Sequence, residues 1–290
     1  METPATAIYR EARDLLQDLS RDYKKAVEEF VWPEFGERFN WAIDWFDANA
    51  RGNDGIALWI VEEDGSEVKL SFAEMARRSD QVAAHLAANG VGRGEHVVLM
   101  LNNQVELWEA MLAVMKLGAE ILPTSTALGP NDLTDRIERG GARHVVVNAA
   151  DAGKFDSVPG EYTRFVVGDA PDGAIAYRAA YALDVPPAAH PGTAPSDPQL
   201  LYFTSGTTSR PKLVQHTQVS YPVGHLATSF WVAAKPGDVH LNISSPGWAK
   251  HAWSCFFAPW IAQATIFIYN YSRFDAAKLL GQIRRAGVNT

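Results

Sequence analysis

SFAEMARRSDQVAAHLAANGVGRGEHVVLMLNN, residues 71–103, contains the change of period on which the fold turns. Ser71 and Glu74 form an S-x-x-E capping box, whose side chains supply partners for the amides at a helix start. The helix is expected to run to about Asn89, where Gly90 to Gly94 turn the chain. HVVLMLNN (96–103) follows as a short, almost wholly apolar strand. Such a strand buries both faces, as in a parallel sheet covered by helices.

The alternation extends outward from this stretch. Before it, IALWIV (56–61) and EVKLSF (67–72) read as strands joined by the turn EDGS (63–66). After it come helical spacing at 104–117, a strand at AEILPT (119–124), a glycine-closed helix in NDLTDRIERGG, and a strand at ARHVVVN (142–148). LLYFTS opens a second such segment, continued by a helix near Val219–Ala233, strands in DVHLNIS (238–244) and ATIFIY (264–269), and a helix at Asp275–Ala286. The fold class expected is mixed α/β, with largely parallel sheets flanked by helices. Residues 8–30 repeat apolar positions at intervals of three and four, predicting one amphipathic helix ended by Trp32-Pro33. FNWAIDWFDANA (39–50) reads as a second, short helix with core-packing aromatics.

LDVPPAAHPGTAPSDPQ (183–199) holds five prolines and no periodicity, so it reads as a linker. The organisation expected is an N-terminal helical segment (1–50), a first α/β subdomain (51–182), this linker, and a second α/β subdomain (200–290). The chain stops at RRAGVNT, where a helix has turned toward the start of another strand. On this reading it is a piece of a longer protein.

The sequence has 290 residues, a net charge of −8 and a single cysteine, Cys255. An acidic balance disfavours nucleic acid as partner, since no broad basic surface meets a phosphate backbone. One cysteine excludes an intrachain disulfide and any zinc site built on several thiolates. The charge-interrupted N-terminus has neither the apolar run of a signal peptide nor that of a membrane span. A cytoplasmic enzyme or binding protein is the expectation.

The chemistry concentrates in LYFTSGTTSRPKLVQHT (201–217). Five hydroxyls, a glycine, an arginine and a lysine stand between Phe203 and Leu213. A solvated turn between strand and helix would use some of these; a site that grips phosphate would use nearly all. Thr204, Ser205, Thr207, Thr208 and Ser209 are donors to phosphoryl oxygens, Gly206 permits close backbone approach, and Lys212 supplies a point charge. A Walker A loop is rejected, because Pro211 stands where its second glycine belongs and Leu213 where its magnesium-binding hydroxyl belongs.

The stretch resembles the phosphate loop of the acyl-adenylate-forming enzymes. Their pattern is Tyr or Phe, Thr or Ser, Ser, Gly, two Thr or Ser, Gly, any residue, Pro, Lys. Phe203 to Lys212 matches at every position but one, where Ser209 replaces the usual glycine. The opening stretch, LAVMKLGAEILPTSTAL (112–128), FNWAIDWFD (39–47) and SSPGWAKHAWSCFFAPWIAQATIFIYNYSRFDA (244–276) extend the resemblance from about residue 38 onward. It is greatest to AMP-forming acyl-CoA synthetases of the medium-chain branch.

That resemblance implies activation of a small or medium-chain carboxylic acid by ATP to acyl-AMP and pyrophosphate, then transfer to coenzyme A. It assigns Thr204 and Lys212 to catalysis, and Thr204, Ser205, Gly206, Thr207, Thr208, Ser209 and Lys212 to the nucleotide phosphates. It puts Gly247, Trp248, Ala249, Lys250 and Trp253 at the acyl pocket, where the two large rings would shorten the cavity. No metal ligand is assigned within the chain; the Mg2+ ligand of the family is expected beyond residue 290, so the chain alone is expected to be inactive. Two alternatives remain open: a non-catalytic ATP- or acyl-binding module, and an adenylation domain passing its acyl group to a carrier thiol. Of the histidines His216, His225 and His251, only the last lies near the pocket segment.

Overall fold

The computed structural model describes residues 3–204 and 210–290. The chain divides into two compact units: Met1–Ala76 with Val219–Ser244 and Lys250–Thr290, and Arg77–Gln218 with Ser245–Ala249. Among the described residues the strands are β1 (Ile56–Val61), β2 (Glu67–Ser71), β3 (His96–Met100), β4 (Glu120–Pro123), β5 (His144–Asn148), β6 (Thr163–Val167), β7 (Ile175–Ala176), β8 (Pro198–Thr204), β9 (Lys212–Thr217), β10 (Val239–Leu241) and β11 (Thr265–Tyr269).

The first unit carries a four-stranded sheet of order β10-β11-β1-β2, parallel except for the β1–β2 hairpin. Its core is aromatic. Trp41, Trp45, Phe46, Phe256, Phe257 and Trp260 are buried, and two of the three indoles donate to backbone carbonyls, whereas Trp41 Nε1 has no hydrogen-bond acceptor among the described residues. Trp45 Nε1 donates to the Trp260 carbonyl at 3.2 Å, and Trp260 Nε1 to that of Ala57 at 3.0 Å. The aromatics of 39–50 therefore pack, as expected, although the turn from Trp41 to Asp47 is wound as a π-helix. The single helix expected over 8–30 is two, Pro4–Asp18 and Tyr23–Glu29. Asp22 makes the break, because its carboxylate accepts from Lys25 N at 3.1 Å and caps the second helix. The helix expected near Val219–Ala233 is shorter, Leu226–Val232, since Pro222 and Gly224 hold the preceding residues in turns.

The capping box is formed: Ser71 N donates to Glu74 Oε2 at 2.8 Å and Glu74 N to Ser71 Oγ at 3.1 Å. It opens the helix Phe72–Ala88.

The second unit carries a seven-stranded sheet of order β7-β6-β5-β3-β4-β8-β9. Every pairing is parallel except β8–β9. The central strands HVVLM and HVVVN are β-branched and buried on both faces, as a helix-covered sheet requires. The helix Val105–Lys116 is buried along its length from Glu106 onward. Its charges survive burial because each is paired: Glu106 with Arg178 at 2.6 Å, Glu109 with Arg78, and Lys116 with Asp80 at 2.7 Å.

The division differs from the expected boundaries at 182 and 200. Residues 183–197 do not connect two bodies, because β8 beyond them pairs with β4 of the same sheet. The proline-rich segment is a strap fixed within the unit by side chains of the 72–88 helix. Gln81 Nε2 donates to the carbonyls of Tyr181 at 3.2 Å and Leu183 at 2.7 Å, and Ala188 N donates to Asp80 Oδ1 at 3.1 Å. No helix among the described residues is long and apolar enough to cross a membrane.

Candidate functional site

Parallel strands bring their carboxyl ends to one edge of the sheet, and ligands of such sheets bind where neighbouring connections diverge. From β4 the chain returns through the helix Pro130–Glu138 to β5, whereas from β8 it continues outward into β9. The gap between the ends of β4 and β8 is such a place.

Thr204 closes β8, and Lys212 opens β9 directly opposite it. Opposed residues of an antiparallel pair share a face, so hydroxyl and ammonium project to the same side. Thr204 Oγ1 reaches the Lys212 carbonyl at 3.5 Å, and the Lys212 side chain is exposed. The structure thus brings together the two residues assigned to catalysis. Ser205, Gly206, Thr207, Thr208 and Ser209, also assigned to phosphate, lie outside the described residues.

β8 and β9 pair antiparallel, so a strand follows the loop where a helix was expected. β9 is an edge strand, solvent-exposed from Lys212 to Gln215. KLVQHT therefore lacks the alternation that marks a half-buried strand. His216 sits at its far end with its ring 6.1 Å from that of Tyr202, and burial lowers its pKa.

At the end of β4 stands a second hydroxyl run, Thr124, Ser125 and Thr126. Thr126 Oγ1 donates to Asn102 Oδ1 at 3.0 Å, and the Thr126 carbonyl accepts from Lys154 Nζ at 2.6 Å. The sequence signal was available, since the run TST (124–126) stands at the end of a strand, but no role was assigned to it. Gly247 comes against this turn with φ +90°, and a Cβ there would lie 2.3 Å from Ser125 N. Only glycine permits that approach. The residues Gly247, Trp248 and Ala249 thereby belong to the second unit, with Trp248 62% exposed.

Lys250 and Trp253 belong to the first unit. There Trp253 is half-buried, stacked at 6.2 Å on the ring of His225, whose Nδ1 lies 3.0 Å from Thr228 Oγ1. His251 is buried, and desolvation pushes its pKa down to about 3. It is neutral at physiological pH and does not titrate there.

Two arginines missed by sequence reading complete the surroundings. Arg136 and Arg139 approach the ring of Phe203, and Arg139 bonds the carbonyl of Pro211. Among the described residues no group of three or more His, Cys, Asp or Glu is placed to hold a metal ion.

The family model described as AMP-binding enzyme matches residues 46–290. The chain is 33% identical over 259 residues to 4-hydroxybutyrate--CoA ligase 1 of Metallosphaera sedula, covering 87% of this chain and 45% of that protein. It is 31% identical over 267 residues to the mitochondrial acyl-coenzyme A synthetase ACSM5 of Homo sapiens, covering 88% of this chain and 46% of that protein. The crystal structure of Brucella canis acyl-CoA synthetase matches with a TM-score of 0.82 at 25% identity, over 92% of this chain and 51% of that one. The anthranilate CoA ligase AuaEII, solved with anthranoyl-AMP, shares the fold with a TM-score of 0.74 at 21% identity, over 87% of this chain and 49% of that one. The chain spans about half the length of the curated relatives it matches.

Proposed function

The chain belongs to the AMP-binding enzyme family, and from that premise we propose that it is the N-terminal part of an AMP-forming acyl-CoA synthetase acting on a small or medium-chain carboxylic acid. In the first half-reaction a carboxylate oxygen attacks the α-phosphorus of ATP. The bond from that phosphorus to the bridging oxygen breaks, and pyrophosphate leaves. In the second, the thiol of coenzyme A attacks the acyl carbonyl and AMP leaves. Negative charge accumulates on the leaving pyrophosphate, so the protein's contribution is positioning and neutralisation.

The observation that carries this reading is the pairing of Thr204 with Lys212. It sets a hydroxyl and a cation on one face at both mouths of a hydroxyl-rich connection, beside the end of β4. Lys212 is assigned to leaving-group charge, and Thr204 to the same phosphates as a donor, with Ser205 to Ser209 between them. Gly247, Trp248, Ala249, Lys250 and Trp253 are assigned to the acyl group. Magnesium is expected to accompany the nucleotide and to offset the charge of its phosphates. A role in fatty acid metabolism and a cytoplasmic location belong to the same proposal. The human relative is named as mitochondrial, so fractionation of cells decides the compartment.

The test is acid-dependent exchange of labelled pyrophosphate into ATP by the complete gene product, over acids from acetate to laurate with benzoate. Exchange with at least one of these acids is the expected result. ATP binding without exchange for any acid would replace the proposal with a non-catalytic nucleotide-binding module. Acyl transfer to a carrier protein but not to coenzyme A would replace it with a peptide-synthetase type of adenylation domain.

A further inference from the structure

The helix Pro130–Glu138 ends against the sheet at Gly140, where a Cβ would lie 2.6 Å from Leu122 Cδ2 and 3.3 Å from Phe203 Cε2. That contact leaves the helix end little freedom to shift. From it two guanidinium groups reach the residues flanking 205–209. Arg136 lies 4.4 Å from the centroid of the Phe203 ring and Arg139 5.8 Å from it, both within cation–π range. On the other side, Arg139 Nη2 donates to the Pro211 carbonyl at 2.9 Å. Its Nη1 is held by Asp135, at 3.1 Å from Oδ1 and 2.8 Å from Oδ2.

We propose that Arg139, with Arg136 behind Phe203, is a positioning residue that fixes the separation and orientation of the two flanks of the phosphate loop. This rests on the function proposed above and assigns that site a support outside it. Arg139 reaches both sides of the connection, Phe203 before it and Pro211 after it. Its planar fork serves Asp135 and the Pro211 carbonyl together, a geometry that one ammonium nitrogen does not reproduce. If the carbonyl bond is lost, Pro211 is released beside Lys212, whose ammonium is then held less closely against the departing phosphates.

The experiment compares Arg139→Lys and Arg139→Met with the wild-type complete gene product. It measures pyrophosphate exchange, equilibrium binding of ATP by calorimetry, and thermal unfolding. Both variants are expected to lose about tenfold or more in kcat/KM for ATP and to bind ATP more weakly. The KM for the carboxylic acid and the melting temperature stay close to wild type. The lysine variant is decisive because it keeps the charge. Wild-type behaviour in Arg139→Lys, with loss only in Arg139→Met, would show a field effect and overturn the positioning role. A parallel loss of stability, acid affinity and ATP affinity would show a merely structural residue. If wild type binds ATP without exchanging pyrophosphate, the proposed reaction fails while calorimetry still decides the role of Arg139. If wild type does not bind ATP, both proposals fall.

Discussion

Gly247 lies against Ser125 so closely that a methyl group at position 247 would stand 2.3 Å from the Ser125 amide nitrogen and 2.7 Å from its Cα. Both atoms are backbone, so no side-chain rotation relieves the clash, and φ of +90° strains any other residue. Gly247→Ala is therefore expected to displace the segment 245–249 from the end of β4. Pyrophosphate exchange should fall at least tenfold while the aromatic core of the first unit is unaffected. Exchange kinetics beside near-ultraviolet circular dichroism check this; an active alanine variant would show that the approach is not required.

Trp248 follows that glycine and is 62% exposed. A large ring at an acyl pocket excludes longer chains by bulk, and each methylene accommodated changes discrimination by roughly 10–200-fold. Trp248→Ala should raise kcat/KM for longer acids relative to shorter ones and move the preferred chain length upward. The acid panel measured with both proteins checks it. An unchanged profile would place this ring outside the pocket.

What was legible in the sequence follows from where each signal comes. The capping box of Ser71 and Glu74 and the apolar runs of β3 and β5 are local, so they could be read directly. Strand β9 was not legible because an exposed edge has no burial pattern to impose on KLVQHT. The proline-rich strap was read as a linker because its attachments to Asp80 and Gln81 lie about a hundred residues away in sequence. For the candidate site, Thr204 and Lys212 were singled out by a dense local motif. Arg139 was not, since its partner Pro211 is 72 positions distant and nothing around Arg139 announces it.

Lys116 and Asp80 form an ion pair with side-chain exposures of 0% and 4%. Asp80→Ala leaves the ammonium with the Ser79 hydroxyl and also removes the acceptor of Ala188 N. Breaking such a buried pair costs about 3–5 kcal/mol. Chemical denaturation of the variant should show a loss of that size, with faster amide exchange at Ala188. A loss below about 1 kcal/mol would mean that water replaces the carboxylate.

His96 holds two acceptors at once, the Gly140 carbonyl 2.6 Å from Nδ1 and the Glu120 carboxylate 2.9 Å from Nε2. Both ring nitrogens must carry protons to serve them, so the imidazolium is favoured. The Glu120 hydrogen bond raises the pKa, with the Gly140 carbonyl and the charge of Glu95 adding to it against desolvation. Because the folded pKa lies above the unfolded value near 6.5, the stabilisation is complete below about pH 6.5 and is lost as pH rises through the folded pKa. Unfolding free energy measured from about pH 6 to pH 9 should decline across that window, and His96→Gln should flatten this part of the decline. An identical pH dependence in the variant would assign the decline to other groups.

Lys212 stands opposite Thr204 on an exposed strand, where an ammonium that only bound ATP would act equally on ground state and transition state. In the proposed reaction the leaving pyrophosphate gains charge as the bond to the α-phosphorus breaks, so an ammonium beside it would bind the transition state more strongly than ATP itself. Lys212→Ala should therefore lower the exchange rate by roughly 10²–10³-fold, the range for removal of one such donor. The KM for ATP should rise less than about tenfold. Thr204→Val removes a neutral donor and should cost less than the lysine variant, since charge-assisted bonds are about twice as strong. The reverse division, an intact kcat with a KM for ATP raised a hundredfold, would make Lys212 an anchor for the substrate and shift the burden of leaving-group charge to another cation.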